Sequence, residues 1–227
     1  MSSATATATP TVDLGRIELK AIRSSPRWLA IIGIAALAIA SAIGALSSEG
    51  IPRLLHAYLL SFCFFLSISL GATFFVILQH LTRARWSVVT RRVAEVLTTA
   101  IPVLALLCLP IVVPMLFGSA QLYEWNDAAL RDSDELIRGK TAYLNAPFFA
   151  VRCALYLGVW ALLSRFYLRN SVLQDSTGEV ELSHKMRRRS GPAMIALGLT
   201  LNFAAFDLLM SLDPHWFSTI FGIYFFA

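Results

Sequence analysis

Five stretches of this chain run for twenty or more residues with almost no charge: 28–47, 55–81, 98–118, 146–166 and 191–212. A bilayer core of about 30 Å takes about 20 apolar residues in helical form. The stretches are long and lack strict polar–apolar alternation, which reads as helix and not as barrel strand. A sixth run, 215–227, has thirteen residues, too few to span. The pattern predicts an all-α polytopic membrane protein with five complete transmembrane helices and a truncated sixth. Composition agrees, with 57% hydrophobic and 15% charged residues. A soluble domain is nearer half apolar and roughly a quarter charged, and a chain of this size has too much surface to hide the excess from water.

The charge places the loops. Net charge is +5, yet the cations sit between the apolar runs, where they report topology and not nucleic-acid binding. Residues 16–27, the second loop and the fourth loop carry fourteen Lys and Arg; the opposite loops carry four, namely Arg53, Arg131, Arg138 and Lys140. Residues 1–27 are thus expected to be a cytoplasmic tail, disordered over 1–12, with no secretory signal before the first run. The third loop, 119–145, then lies outside. It is acidic and aromatic, and Asp132 or Ser133 is a candidate cap for a short helix there. It serves either as a solvated connection or as a docking surface. Cys63, Cys108 and Cys153 lie in separate apolar runs without metal-type spacing, so they read as small core residues.

Ionisable side chains within the apolar runs need a partner or a function, because each costs at least about 2.5–3.5 kcal/mol to insert. Arg152 and Asp207 each lie five or six residues in from the same end of consecutive spans, roughly 8–9 Å deep at about 1.5 Å per residue. They are expected to face each other. Asp213 and Pro214 carry the signature of an N-cap and first helical residue for the sixth run. That would put His215 in its first turn beside Trp216. His56 starts the second run at the same end. At the other end His80 closes the second run, and Glu95 leads into the third with Arg91 and Arg92 at helical spacing. An imidazole at such an interface exchanges protons near neutral pH, or is simply wetted. Ser67, Ser69, Thr73 and Asn202 offer either a hydrated proton path or bonds between helices. Haem b is not expected, since His56, His80 and His215 sit near span ends and His184 in a loop. Pro102, Pro110 and Pro114 are expected to kink the third span, leaving carbonyls for neighbours to satisfy.

Several segments carry a resemblance: "QHLTRARWSVVTRRVAE" at 79–95, "LYEWND" at 122–127, "KTAYLNAPFFAVR" at 140–152, "SVLQDSTGEVELS" at 171–183 and "FDLLMSLDPHWFSTIFGIYFFA" at 206–227. From about residue 28 onward the chain resembles the ActF family, NrfD-like quinone-associated membrane subunits of bacterial alternative complex III, a quinol:cytochrome c oxidoreductase. The resemblance implies an NrfD-like helix bundle in the bacterial inner membrane, and an incomplete one, because such subunits have more helices. It implies quinol or quinone as ligand and no redox metal on this chain. Haem c and iron–sulfur clusters would sit on partner subunits: an ActC-like membrane subunit, iron–sulfur and multihaem cytochrome subunits, and a possible terminal oxidase. Asp207, Arg152, His215, His56, His80 and Glu95 become the candidates for proton relay or quinone pocket. A secondary transporter and a purely structural scaffold remain as alternatives.

Overall fold

The structure, a computed structural model, describes residues 25–46, 50–84 and 86–226. The tail read for residues 1–24, together with Arg16, Lys20, Arg23 and Arg85 of the charge argument, lies outside the described residues. Among the described residues the fold is helical, with no strand. The helices are α1 (Ser25–Ala45), α2 (Gly50–Leu81), α3 (Val88–Thr98), α4 (Ile101–Leu107), α5 (Leu109–Leu116), α6 (Ala128–Ser133), α7 (Glu135–Lys140), α8 (Ala146–Thr177), α9 (Val180–Leu208) and α10 (Phe221–Phe226). Five segments are long and apolar enough to cross a membrane: Arg27–Gly44, Gly50–Leu81, Thr90–Leu116, Ala146–Thr177 and Val180–Leu212.

Helices α2, α8 and α9 pack on one another, and α3, α4 and α5 lie against α2 and α8. Large side chains close the centre: Trp160, Tyr167, Leu66, Leu70 and Ile77 are fully buried. Helix α1 lies along α2 and is otherwise bare, only 6% of its span being covered, with Ile31, Ile34 and Ile39 facing outward. Lipid is as apolar as isoleucine, so such a face is ordinary in a bilayer and untenable in water.

The third span is broken at two of its three prolines, Pro102 and Pro110, each of which stands in the first turn of a new helix, while Pro114 lies inside α5 without ending it. Pro102 has no N–H to give the carbonyl of Thr98, and the Ser164 hydroxyl donates to that oxygen instead at 2.9 Å. At the junction before Pro110, the amide of Ile111 turns back to Cys108 and the Tyr58 hydroxyl takes the carbonyl of Leu107 at 2.6 Å. Hydrogen bonds left open by proline are therefore refilled from α2 and α8, as a bilayer requires.

Four helix boundaries differ from those the apolar runs predict. The second span begins at Gly50, so His56 sits more than a turn inside α2. Helices α8 and α9 run on to Thr177 and from Val180, well past the apolar runs that ended at 166 and began at 191. The fourth loop shrinks to a tight turn at Gly178, whose φ of +69° closes α8 through a bond to the carbonyl of Gln174 at 2.8 Å. His184 accordingly lies on α9. The sixth helix begins at Phe221, not at Asp213. Asp213 does accept from the amides of His215 and Trp216, at 3.0 and 3.3 Å. The chain does not continue as helix from there, and Lys140 Nζ donates to the Pro214 carbonyl at 2.6 Å in the intervening turn.

The 119–145 segment folds back over this end of the bundle. Asp127 caps α6 and Asp134 caps α7, so Asp132 and Ser133 fall inside α6 and are not its caps. Tyr123 donates to the carbonyl of Leu208 at 2.9 Å, and Asn126 donates to those of Met115 and Ser119 at 3.0 and 2.9 Å. The segment thus caps the ends of α9 and α5, while Tyr123, Trp125 and Phe149 cluster beneath it.

Candidate functional site

Arg152 on α8 and Asp207 in the last turn of α9 form a two-pronged ion pair. Arg152 Nε donates to Asp207 Oδ2 at 2.8 Å and Nη2 donates to Oδ1 at 2.9 Å. A third guanidinium nitrogen, Nη1, donates to the Tyr143 carbonyl at 3.0 Å. The Tyr156 hydroxyl, one turn along α8 from Arg152, donates to Oδ2 at 2.7 Å. The guanidinium carbon lies 3.9 Å from the ring centre of Tyr143 and 4.3 Å from that of Phe148. Asp207 is 0% exposed and Arg152 7%. The carboxylate therefore has three donors and the guanidinium three acceptors plus two aromatic faces. That is the condition under which a buried pair holds together and is not a net liability.

Tyr143 and Ser211, each bonded to a member of this pair, line a cavity of about 610 Å³ that the pair itself does not line. Its wall is largely apolar, with Phe203, Phe206 and Met210 from the end of α9 and Trp216 and Phe217 from the following turn. Tyr143, Lys140, Ser211 and Asp213 supply polar groups on the same lining. Ser211 also donates to the main-chain carbonyl of Asp207. Burial, with the Asp207 charge as a second cause, pushes the Tyr143 phenol up to about 12. It stays a neutral O–H donor at physiological pH. A cleft of this volume, apolar with a few convergent polar groups, is the ordinary form of a small-molecule site.

No protein-family model and no curated protein matches this chain.

The remaining candidates fall into separate places. His215 Nε2 lies 2.9 Å from Asp134 Oδ2, at the surface, and ties the turn after α9 to the cap of α7. The amides of Ile137 and Leu136 hold the Asp134 carboxyl below its ordinary range, with His215 a lesser cause. His56 is exposed, its Nδ1 2.7 Å from the Pro52 carbonyl in its own helix. At the basic end, Glu95 is 1% exposed inside α3 and is met by Arg92 at 2.9 Å and Arg91 at 3.6 Å. Arg92 reaches on to Asp175 of α8. His80 is buried and stacks on Tyr167, the ring centres 5.4 Å apart. Nε2 of His80 and Oε1 of Glu95 have no hydrogen-bond partner. The structure therefore brings Arg152 and Asp207 together, sets His215 at the rim of their end, and leaves His80 and Glu95 at the far end of the bundle.

Ser67, Ser69 and Thr73 bond to carbonyls of their own helix and form no chain between helices. Asn202 instead packs against Gly222 of α10, where any Cβ would collide with it. Four site residues escaped the sequence reading: Tyr156, Tyr143, Ser211 and Lys140. Tyr156 carries a readable signal, a hydroxyl four residues after an intramembrane arginine. The others depend on how the 119–145 segment folds back, which no local pattern encodes.

Proposed function

We propose that this chain is an ActF-type, NrfD-like membrane subunit of a bacterial alternative complex III, in which the cavity beside Arg152 and Asp207 receives a quinol or quinone headgroup. The reading has the N-terminus in the cytoplasm of the bacterial inner membrane and the 119–145 segment on the outer side. It makes the described helices part of a larger NrfD-like bundle in which α10 begins a sixth span. Electrons would belong to haem c and iron–sulfur clusters on partner subunits. This chain would supply binding and polar groups.

One observation carries the proposal: an apolar cavity of about 610 Å³ is lined by Tyr143 and Ser211, which are themselves bonded to the buried Arg152–Asp207 pair. A quinone is a flat apolar ring with two carbonyl acceptors and an apolar tail. Tyr143, kept protonated, and the two Lys140 ammonium protons not used on the Pro214 carbonyl are donors suited to a carbonyl, and the aromatic wall suits the ring. The pair holds Tyr143 from below, through its carbonyl and its ring. In this reading Arg152 and Asp207 position the donor, and they do not themselves need to exchange protons.

The test is photolabelling with an azido-quinone in membranes containing the full assembly. Labelled peptides should come from 136–144 and 203–217, compete with unlabelled quinone, and fall at least about fivefold in Phe206→Trp, which fills the cavity. Uncompeted labelling spread over lipid-facing helices would refute a quinone site here. Copurification without any haem- or cluster-bearing partner would favour a transporter or scaffold instead.

A further inference from the structure

The basic end of α9 has a built surface that the quinone reading does not use. Lys185, Arg188 and Arg189 line a concavity of about 520 Å³ with Leu182, Pro192, Glu179 and Glu181. All three cations are exposed, and among the described residues none of them pairs with a carboxylate. Arg91 and Arg92, by contrast, are committed to Glu95, and Lys140 to the Pro214 carbonyl.

Further along the same face, α9 turns apolar. Lys185, Arg188, Pro192, Ile195 and Leu199 recur at spacings of three and four residues, so they form one stripe. Ile195 and Leu199 are 66% and 57% exposed. From Arg188 to Leu199 the helix rises roughly 16 Å at about 1.5 Å per residue, close to half of a hydrocarbon core of about 30 Å. An acyl chain lying on Ile195 and Leu199 therefore brings its phosphate to Arg188, Arg189 and Lys185. Basic clusters where a span leaves the membrane attract anionic headgroups.

We infer that this concavity is a binding site for an anionic glycerophospholipid of the phosphatidylglycerol class. Its phosphodiester lies on Lys185, Arg188 and Arg189, and its acyl chain lies along the Pro192–Leu199 stripe. Glu179 and Glu181 at the rim accept from the glycerol hydroxyls. The site stands on the membrane reading alone and is independent of quinone.

The experiment is native mass spectrometry of the full chain, delipidated in neutral detergent and titrated with dioleoyl phosphatidylglycerol, phosphatidylethanolamine or phosphatidylcholine. Phosphatidylglycerol should bind tightest. Its affinity should drop roughly fivefold for each cation removed in Arg188→Gln, Arg189→Gln and Lys185→Gln. It should be unchanged in Arg53→Gln/Arg138→Gln, which removes charge from the other end. The three substituted side chains are exposed, so folding should survive, and an unchanged melting temperature for each variant checks that. Equal binding of the three lipids, equal loss in the Arg53/Arg138 control, or displacement of the lipid by inorganic phosphate would each overturn the site. The last would assign it to a soluble anion.

Discussion

The two ends of the bundle bury acids in opposite ways. At the end covered by residues 119–145, Asp207 is met by two guanidinium nitrogens and a phenol, all between 2.7 and 2.9 Å. At the basic end, Glu95 is as deeply buried, but one of its oxygens lacks a hydrogen bond and its arginines are partly exposed. In the first arrangement both carboxylate oxygens and all three guanidinium nitrogens are bonded. The second has spare capacity, and its cations can turn to water. Burial alone does not tell a structural charge from an adjustable one. The count of donors and the exposure of the partner do.

The largest effect should come from breaking the saturated pair. Asp207→Ala strands a buried guanidinium and should lower stability by about 3–5 kcal/mol, read from unfolding in mixed micelles. Glu95→Ala should cost less, about 1–2 kcal/mol, because Arg91 and Arg92 are 20% and 34% exposed and can be hydrated. Equal losses at the two ends would erase the distinction.

The smallest effect concerns the cover itself. Asp134 titrates below its ordinary value of 3.8 in the folded chain, so its contribution is present above that pH and is lost as pH falls through the lower folded value. Amide protection of Leu136 and Ile137, corrected for intrinsic exchange, should fall across that window, and Asp134→Asn should abolish the pH dependence.

Much of the fold was legible because membrane insertion leaves a strong signal. Five apolar runs marked the five spans, and Pro102 and Pro110, though not Pro114, marked the breaks in the third. The ends were less legible. Hydropathy reports where lipid stops, not where hydrogen bonding stops, so it missed the polar turns with which α8 and α9 continue to Thr177 and from Val180. Asp213–Pro214 has the local chemistry of a helix start, yet the helix begins only at Phe221, and the Pro214 carbonyl is held by Lys140, a contact 74 residues away that no local pattern encodes. Matched depth was enough to pair Arg152 with Asp207, because a charge in lipid must find company. The link between His215 and Asp134 had no such constraint: both are at the surface, where water was an equal alternative.

The claim on which the candidate site stands is that Arg152 and Asp207 hold each other. A double-mutant cycle with Arg152→Gln, Asp207→Asn and the double variant, read from unfolding in mixed micelles, measures it directly. A bonded buried pair predicts that the double variant is at least about 2 kcal/mol more stable than the sum of the single losses. Additive losses would mean that the two side chains do not interact, and the site beside the cavity would lose its foundation.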